Sequence, residues 1–177
     1  MPAPASSQDD LYRQAADTYG AALERLARAY EADGETRRDL LQDIHVALWR
    51  SFKGFKGLCS MRTWVYRVAH NVATTHVGRQ SRVRSHPLVA LEEIELLPDA
   101  SEGELAAHRR QSLERLLALI QQLEHLDRQV MLAYLEGMDA GAIGEITGLS
   151  SRNVATKVHR IKGLLARRFE AGGNDEE

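Results

Sequence analysis

Apolar residues recur along this chain at steps of three and four, and runs that alternate Val, Ile or Thr with polar residues between hairpin turns are absent. That period lays an apolar stripe along one side of a helix, so the expected class is all-α. The stripes are Trp64, Val65, Val68 and Val72; Leu113, Leu116, Leu117, Ile120 and Leu123; Val130, Met131, Tyr134 and Leu135; and Val154, Val158, Ile161 and Leu165. With 177 residues, 44% of them apolar, the chain is long enough for two small cores. No apolar run approaches the ~18 residues that cross a bilayer. The start, from Met1 to Ser7, carries neither half of a secretory signal, so a cytoplasmic protein without membrane insertion is expected. Cys59 is the only cysteine and the histidines show no metal-binding spacing, so neither a metal nor another cofactor is expected.

The formal net charge of -2 hides a sorted distribution. Between positions 51 and 86 the charged residues are Lys53, Lys56, Arg62, Arg67, Arg79, Arg82 and Arg84, with no acid among them. Between 87 and 108 they are Glu92, Glu93, Glu95, Asp99, Glu102 and Glu104, with no Lys or Arg. Between 150 and 168 they are Arg152, Lys157, Arg160, Lys162, Arg167 and Arg168. Two basic surfaces flanking an acidic connector point to two separate contacts with a polyanion. The acids can also lie against the basic parts, which predicts low DNA affinity in the free chain.

Pro87, Pro98 and Gly103 interrupt the periodicity, so residues 85–104 read as a linker between two helical domains. In the first domain helices are expected over about 9–31, 36–51 and 60–82, the last opened by Ser60 as N-cap. Phe52-Lys53-Gly54-Phe55-Lys56-Gly57 reads as a loop able to bend closely around a ligand. In the second domain Glu136-Gly137-Met138 is a helix stop and Asp139 an N-cap. A helix over 140–147, a turn at 148–150 and a last helix over 151–169 then make a helix-turn-helix. On the last helix Val154, Val158, Ile161 and Leu165 share one sector, and Arg152, Thr156, His159, Arg160, Gly163 and Arg167 face the other way. That is a face of hydrogen-bonding and cationic groups suited to a major groove. An ordinary solvated face would also be polar, but here no acid occurs before Glu170 and a helix-turn-helix spacing stands immediately upstream.

Asp39-Leu40-Leu41-Gln42-Asp43-Ile44-His45-Val46-Ala47-Leu48-Trp49, the Gly/Phe loop and Met61-Arg62-Thr63-Trp64-Val65-Tyr66-Arg67-Val68-Ala69-His70-Asn71-Val72-Ala73 closely resemble regions 2.2 and 2.3 of the extracytoplasmic-function (ECF) sigma factors of bacterial RNA polymerase. The stretch from Leu123 through Leu135-Glu136-Gly137 and Ile143-Gly144-Glu145-Ile146-Thr147 to Val158-His159-Arg160 resembles region 4 of that family. The resemblance implies region 2 at 1–84, an acidic linker at 85–105 and region 4 at 106–177. It implies core RNA polymerase and promoter DNA as partners, an anti-sigma factor in addition, a monomer when free, and no catalysis. Region 2 would melt the -10 element and region 4 would read the -35 element as duplex.

Carried over residue by residue, Asp39, Gln42 and Asp43 match positions facing the clamp helices of the largest catalytic subunit. Asn71 matches a position near the pocket for a flipped-out -10 base, and the loop that holds Phe55 and Lys56 matches its wall. Arg62, Arg67 and Arg79 are candidate cations along the strand. Trp64 is expected in the core, Tyr66 is left open between core and stacking, and Cys59 is expected to be inert. In region 4 the -35 contacts would come from Ser151, Arg152, Asn153, Thr156, Lys157, His159 and Arg160.

The chain departs from the family pattern in lacking the Leu-Pro pair at Leu123-Glu124. It also carries Ala155 at a commonly basic position, Arg152 where a small residue is common, and His45 for a usual Phe. An altered -35 preference and a re-packed first core are expected. A stand-alone helix-turn-helix regulator would account only for the second half. An enzyme built on His70, His76, Asp39 and Asp43 would lack a nucleophile motif or a phosphate loop.

Overall fold

A computed structural model describes residues 7–83 and 103–171. The acidic connector lies outside them, as do the side chains of Arg82, Arg84 and the acids from Glu92 to Glu104. Among the described residues there are seven α-helices, a short 3-10 turn at Phe52–Gly54 and no strand. The helices are α1 (Gln8–Tyr30), α2 (Gly34–Ser51), α3 (Met61–Val83), α4 (Glu104–Gln121), α5 (His125–Leu135), α6 (Ala140–Thr147) and α7 (Ser151–Ala171).

Their starts follow from short polar side chains that satisfy orphan backbone N–H groups. Ser7 and Asp10 form a reciprocal capping box, and Asp33 accepts from the Thr36 N–H at 2.8 Å. Ser60 accepts from Thr63 N–H at 3.0 Å and Asp139 from Ala142 N–H at 2.8 Å. Each such cap stabilises its helix by about 1 kcal/mol. The turn between α6 and α7 needs glycine twice: Gly148 has φ +77°, and a Cβ on Gly144 would stand 2.5 Å from the Leu149 carbonyl oxygen.

In the first half α1, α2 and α3 pack on one another around Leu23, Leu26, Leu40, Ile44, Leu48, Val65, Tyr66, Ala69 and Ala73. The inward face of α3 is rotated from the expected stripe. Val65 is buried, but Trp64, Val68 and Val72 are only half-buried, because α1 and α2 both close on the side that carries Ala69, His70 and Ala73. His70 is fully buried, with Nδ1 3.0 Å from the Tyr30 hydroxyl; burial pushes its imidazole down to about 3, so it is neutral. His45, where the family usually has Phe, hydrogen-bonds the Tyr12 hydroxyl at 3.1 Å, and burial lowers its pKa too.

In the second half Ile120, Leu123, Val130, Met131, Leu132, Ala133, Ile143, Ile146, Val154, Ile161 and Leu165 are buried. Leu113, Tyr134 and Leu135, expected inward, are exposed. At the end of α5 the chain turns at Gly137 (φ +74°), and the next residue, Met138, is buried.

The two halves touch, α1 against α4 and α3 against α5 and α6. Arg25 Nε and Nη2 donate to the two carboxylate oxygens of Glu136 at 2.7 and 2.8 Å. Gln121 Nε2 donates to the Arg28 carbonyl at 2.9 Å, and the Arg128 guanidinium lies over the Tyr30 ring, 5.1 Å from its centroid.

Candidate nucleic-acid interface

On α7 the burial of Val154, Ile161 and Leu165 turns the opposite face outward. Ser151, Arg152, Asn153, Thr156, His159 and Arg160 are exposed there, and Lys157 is half-buried. The structure therefore gathers every residue expected at the -35 element on the first turns of one helix. It also adds a partner that apolar spacing did not reveal. Asp127, in the first turn of α5, accepts from Lys157 Nζ on one carboxylate oxygen and from Arg160 on the other. Only a complementary charge thirty residues upstream hinted at it.

The first half holds a second feature, a cavity of about 380 Å³ beside the Gly/Phe loop. Phe55, Lys56, Cys59, Trp64 and Arg67 line it, and Glu145 of α6 closes one side. Phe55 stacks on Phe52 edge-to-face and lies 5.3 Å from the Trp64 ring. Trp64 Nε1 donates to Ser51 Oγ at 2.9 Å; the side chain packs half-buried against the core, as expected, and also lines the cavity. Tyr66 belongs to the core, 1% exposed, where burial raises its hydroxyl pKa.

Asn71 and Arg79 are exposed on α3 and do not line this cavity, because the burial of Ala69 and Ala73 turns them to the other side. Arg62 sits 6.0 Å from the Tyr66 ring centroid and donates to the Glu136 carbonyl. Arg67 donates to the Glu145 carbonyl at 2.7 Å. Both acceptors lie at the C-terminal ends of helices of the second half, where the backbone dipole favours a cation. Hydrogen bonding from Arg25 holds the Glu136 carboxyl below the usual carboxylate range.

Asp39, Gln42 and Asp43 are exposed on α2, opposite the buried Leu40, Ile44 and Leu48. Val46 and Trp49 continue the same exposed face, and Trp49 Nε1 is fixed on Asp9 at 2.8 Å. The sequence reading missed both, although their spacing of three and seven from Asp39-Gln42-Asp43 would have found them.

Residues 15–83 match the family model for Sigma-70 region 2, and residues 113–165 match that for Sigma-70, region 4. The ECF RNA polymerase sigma factor SigX of Bacillus subtilis is 24% identical over 169 residues, covering 92% of this chain and 85% of SigX. The chain belongs to the ECF sigma factors. Another relative is RNA polymerase sigma factor YlaC of Bacillus subtilis, 28% identical over 173 residues and covering 96% of each chain. The solved structure of CnrH in complex with the cytosolic domain of CnrY shares the fold. Its TM-score is 0.67 at 20% identity, over 93% of this chain and 90% of CnrH. A sigma factor directs promoter-specific transcription by RNA polymerase, and such proteins are generally not enzymes. The match to region 2 is the part a stand-alone helix-turn-helix regulator would not have.

Proposed function

We propose that this ECF sigma factor docks on the polymerase clamp through Asp39, Gln42 and Asp43 on α2. It opens the -10 element at the Gly/Phe loop and α3, and reads the -35 duplex with α7. The observation that carries this reading is the pairing of two unlike surfaces in one chain. One is an outward polar recognition helix, the other a separate cavity walled by Phe55, Trp64 and cations. Aromatic walls and tracking cations suit unstacked bases, whereas a polar helix face suits a major groove. The chain works in the cytoplasm, as a monomer until it meets its partners.

In the form described here two of the -10 cations are already engaged. Arg62 and Arg67 reach across to carbonyls of the second half, and Glu145 lines the cavity from the second half. The free chain is thus closed and binds DNA weakly, and polymerase separates the halves. This cover is different from the one expected of the connector acids, whose contribution a deletion of residues 92–104 tests separately. CnrH was solved with the cytosolic domain of CnrY, and a comparable anti-sigma partner holding this chain closed fits the same picture.

The experiment reconstitutes the full chain with core polymerase, selects promoters from a randomised duplex library, and follows strand opening with a fluorescent base at the -10 element. Opening by the holoenzyme is expected. With Phe55→Ala, which removes a wall of the cavity, opening should drop further than duplex binding. A chain that forms no stable complex with core polymerase sinks the proposal.

A further inference from the structure

We infer that Asp127 is a positioning residue for promoter reading: it withdraws Lys157 from the DNA and fixes the guanidinium of Arg160 against it. The inference rests on the reading of α7 as the -35 helix.

Asp127 is nearly buried, its side chain 12% exposed, and its two oxygens take one cation each. Lys157 and Arg160 are three apart on α7, hence neighbours on one side of it. The consequences for the two are different. Lys157 is 26% exposed, and an ammonium is a compact point charge, so its salt bridge to Asp127 removes it as a phosphate contact. Arg160 is 64% exposed, and its planar guanidinium has five N–H donors. One Nη on Asp127 leaves donors directed outward beside Thr156 and His159 while the plane is held. A held plane loses less freedom when it makes a two-pronged contact with a base edge.

The same carboxylate cancels one positive charge close to the DNA-facing surface. Sequence-independent affinity comes mainly from such charge, so Asp127 trades general stickiness for selectivity. Removing it should raise affinity for any duplex and blur the preference among duplexes. A residue that merely stabilised the fold would weaken both.

The test uses the full chain in holoenzyme with a duplex library randomised at the -35 element. A salt titration on an unrelated duplex is read in parallel. For Asp127→Asn, discrimination at the positions read by Arg160 is expected to fall about tenfold. Affinity for the unrelated duplex should rise, and the slope of log K against log salt should steepen by about one. Arg160→Ala should flatten the same positions, and Asp127→Asn added to it should flatten them no further. An unchanged selected sequence with Asp127→Asn, or equal loss on selected and unrelated duplex, overturns the inference. An unchanged selection with Arg160→Ala would instead overturn the reading of α7 itself. If Asp127→Asn does not fold, Asp127→Glu keeps the charge and shifts the carboxylate by one methylene. It should then hold the parental salt slope while blurring the same positions, and an unblurred selection overturns the inference.

Discussion

Two arginines of the first half and two cations of the second are engaged, but by acceptors of different kinds. Arg62 and Arg67 donate to uncharged backbone carbonyls across the seam between the halves, whereas Lys157 and Arg160 share a carboxylate inside their own half. A carbonyl leaves the positive charge whole, so on the proposed reading the first half regains its attraction for nucleic acid once the halves part. A carboxylate cancels charge, so on the same reading the second half favours choosing among sequences over grip.

The largest change should come from Ile161→Ala, which opens a hole in the second core and costs about 2–5 kcal/mol. Thermal unfolding followed by hydrogen exchange should show α5 to α7 losing protection while α1 to α3 keep theirs. If the first half loses protection equally, the two cores are one cooperative unit and the contrast fails.

Next is a dependence on pH to which His70 of the first half contributes. His70 titrates near 3 in the fold against 6.5 in an exposed imidazole. The unfolded chain therefore binds the extra proton first, and the stability contributed by the neutral ring is full above about 6.5 and lost as pH falls toward 3. Denaturant unfolding at descending pH should show this slope, and His70→Gln, which cannot charge, should reduce it, leaving the part owed to His45 and Glu136.

Arg152→Ala sharpens the second side of the comparison. A loss of about 1–3 kcal/mol in -35 affinity is expected where a base is read, with a relaxed preference at that position. A uniform loss across all sequences would make Arg152 a phosphate contact. The smallest effect belongs to Glu136→Gln. The Arg25 pair is more than half exposed on the arginine side, so its loss is expected to shift closure by less than about 1 kcal/mol. Binding of the free chain to single-stranded -10 DNA should rise up to about fivefold, and no rise would mean that this contact does not hold the halves together.

Local signals were legible in the sequence to a fine grain. Asp139 caps α6, the bounds 140–147 stand as read, and the stripe of α7 faces inward as expected. These depend on neighbours a few residues away. What escaped depends on parts far apart in the chain. Tyr134 and Leu135 fit the period but lie outside, while Met138 beyond the turn at Gly137 is buried. Asp127 sits on a different helix from the residues it serves, and nothing in the spacing of Arg62 or Arg67 foretells carbonyls more than seventy residues away. Periodicity reports which side of a helix is covered, not what reaches it from another domain.

Glu136 ends α5 and receives Arg25 on its carboxylate and Arg62 on its carbonyl. Because both contacts sit on one residue, a shift of the backbone at that helix end disturbs both arginines together. On the proposed reading, a partner that moves this helix end loosens two of the contacts between the halves at once, while Arg67 stays on Glu145.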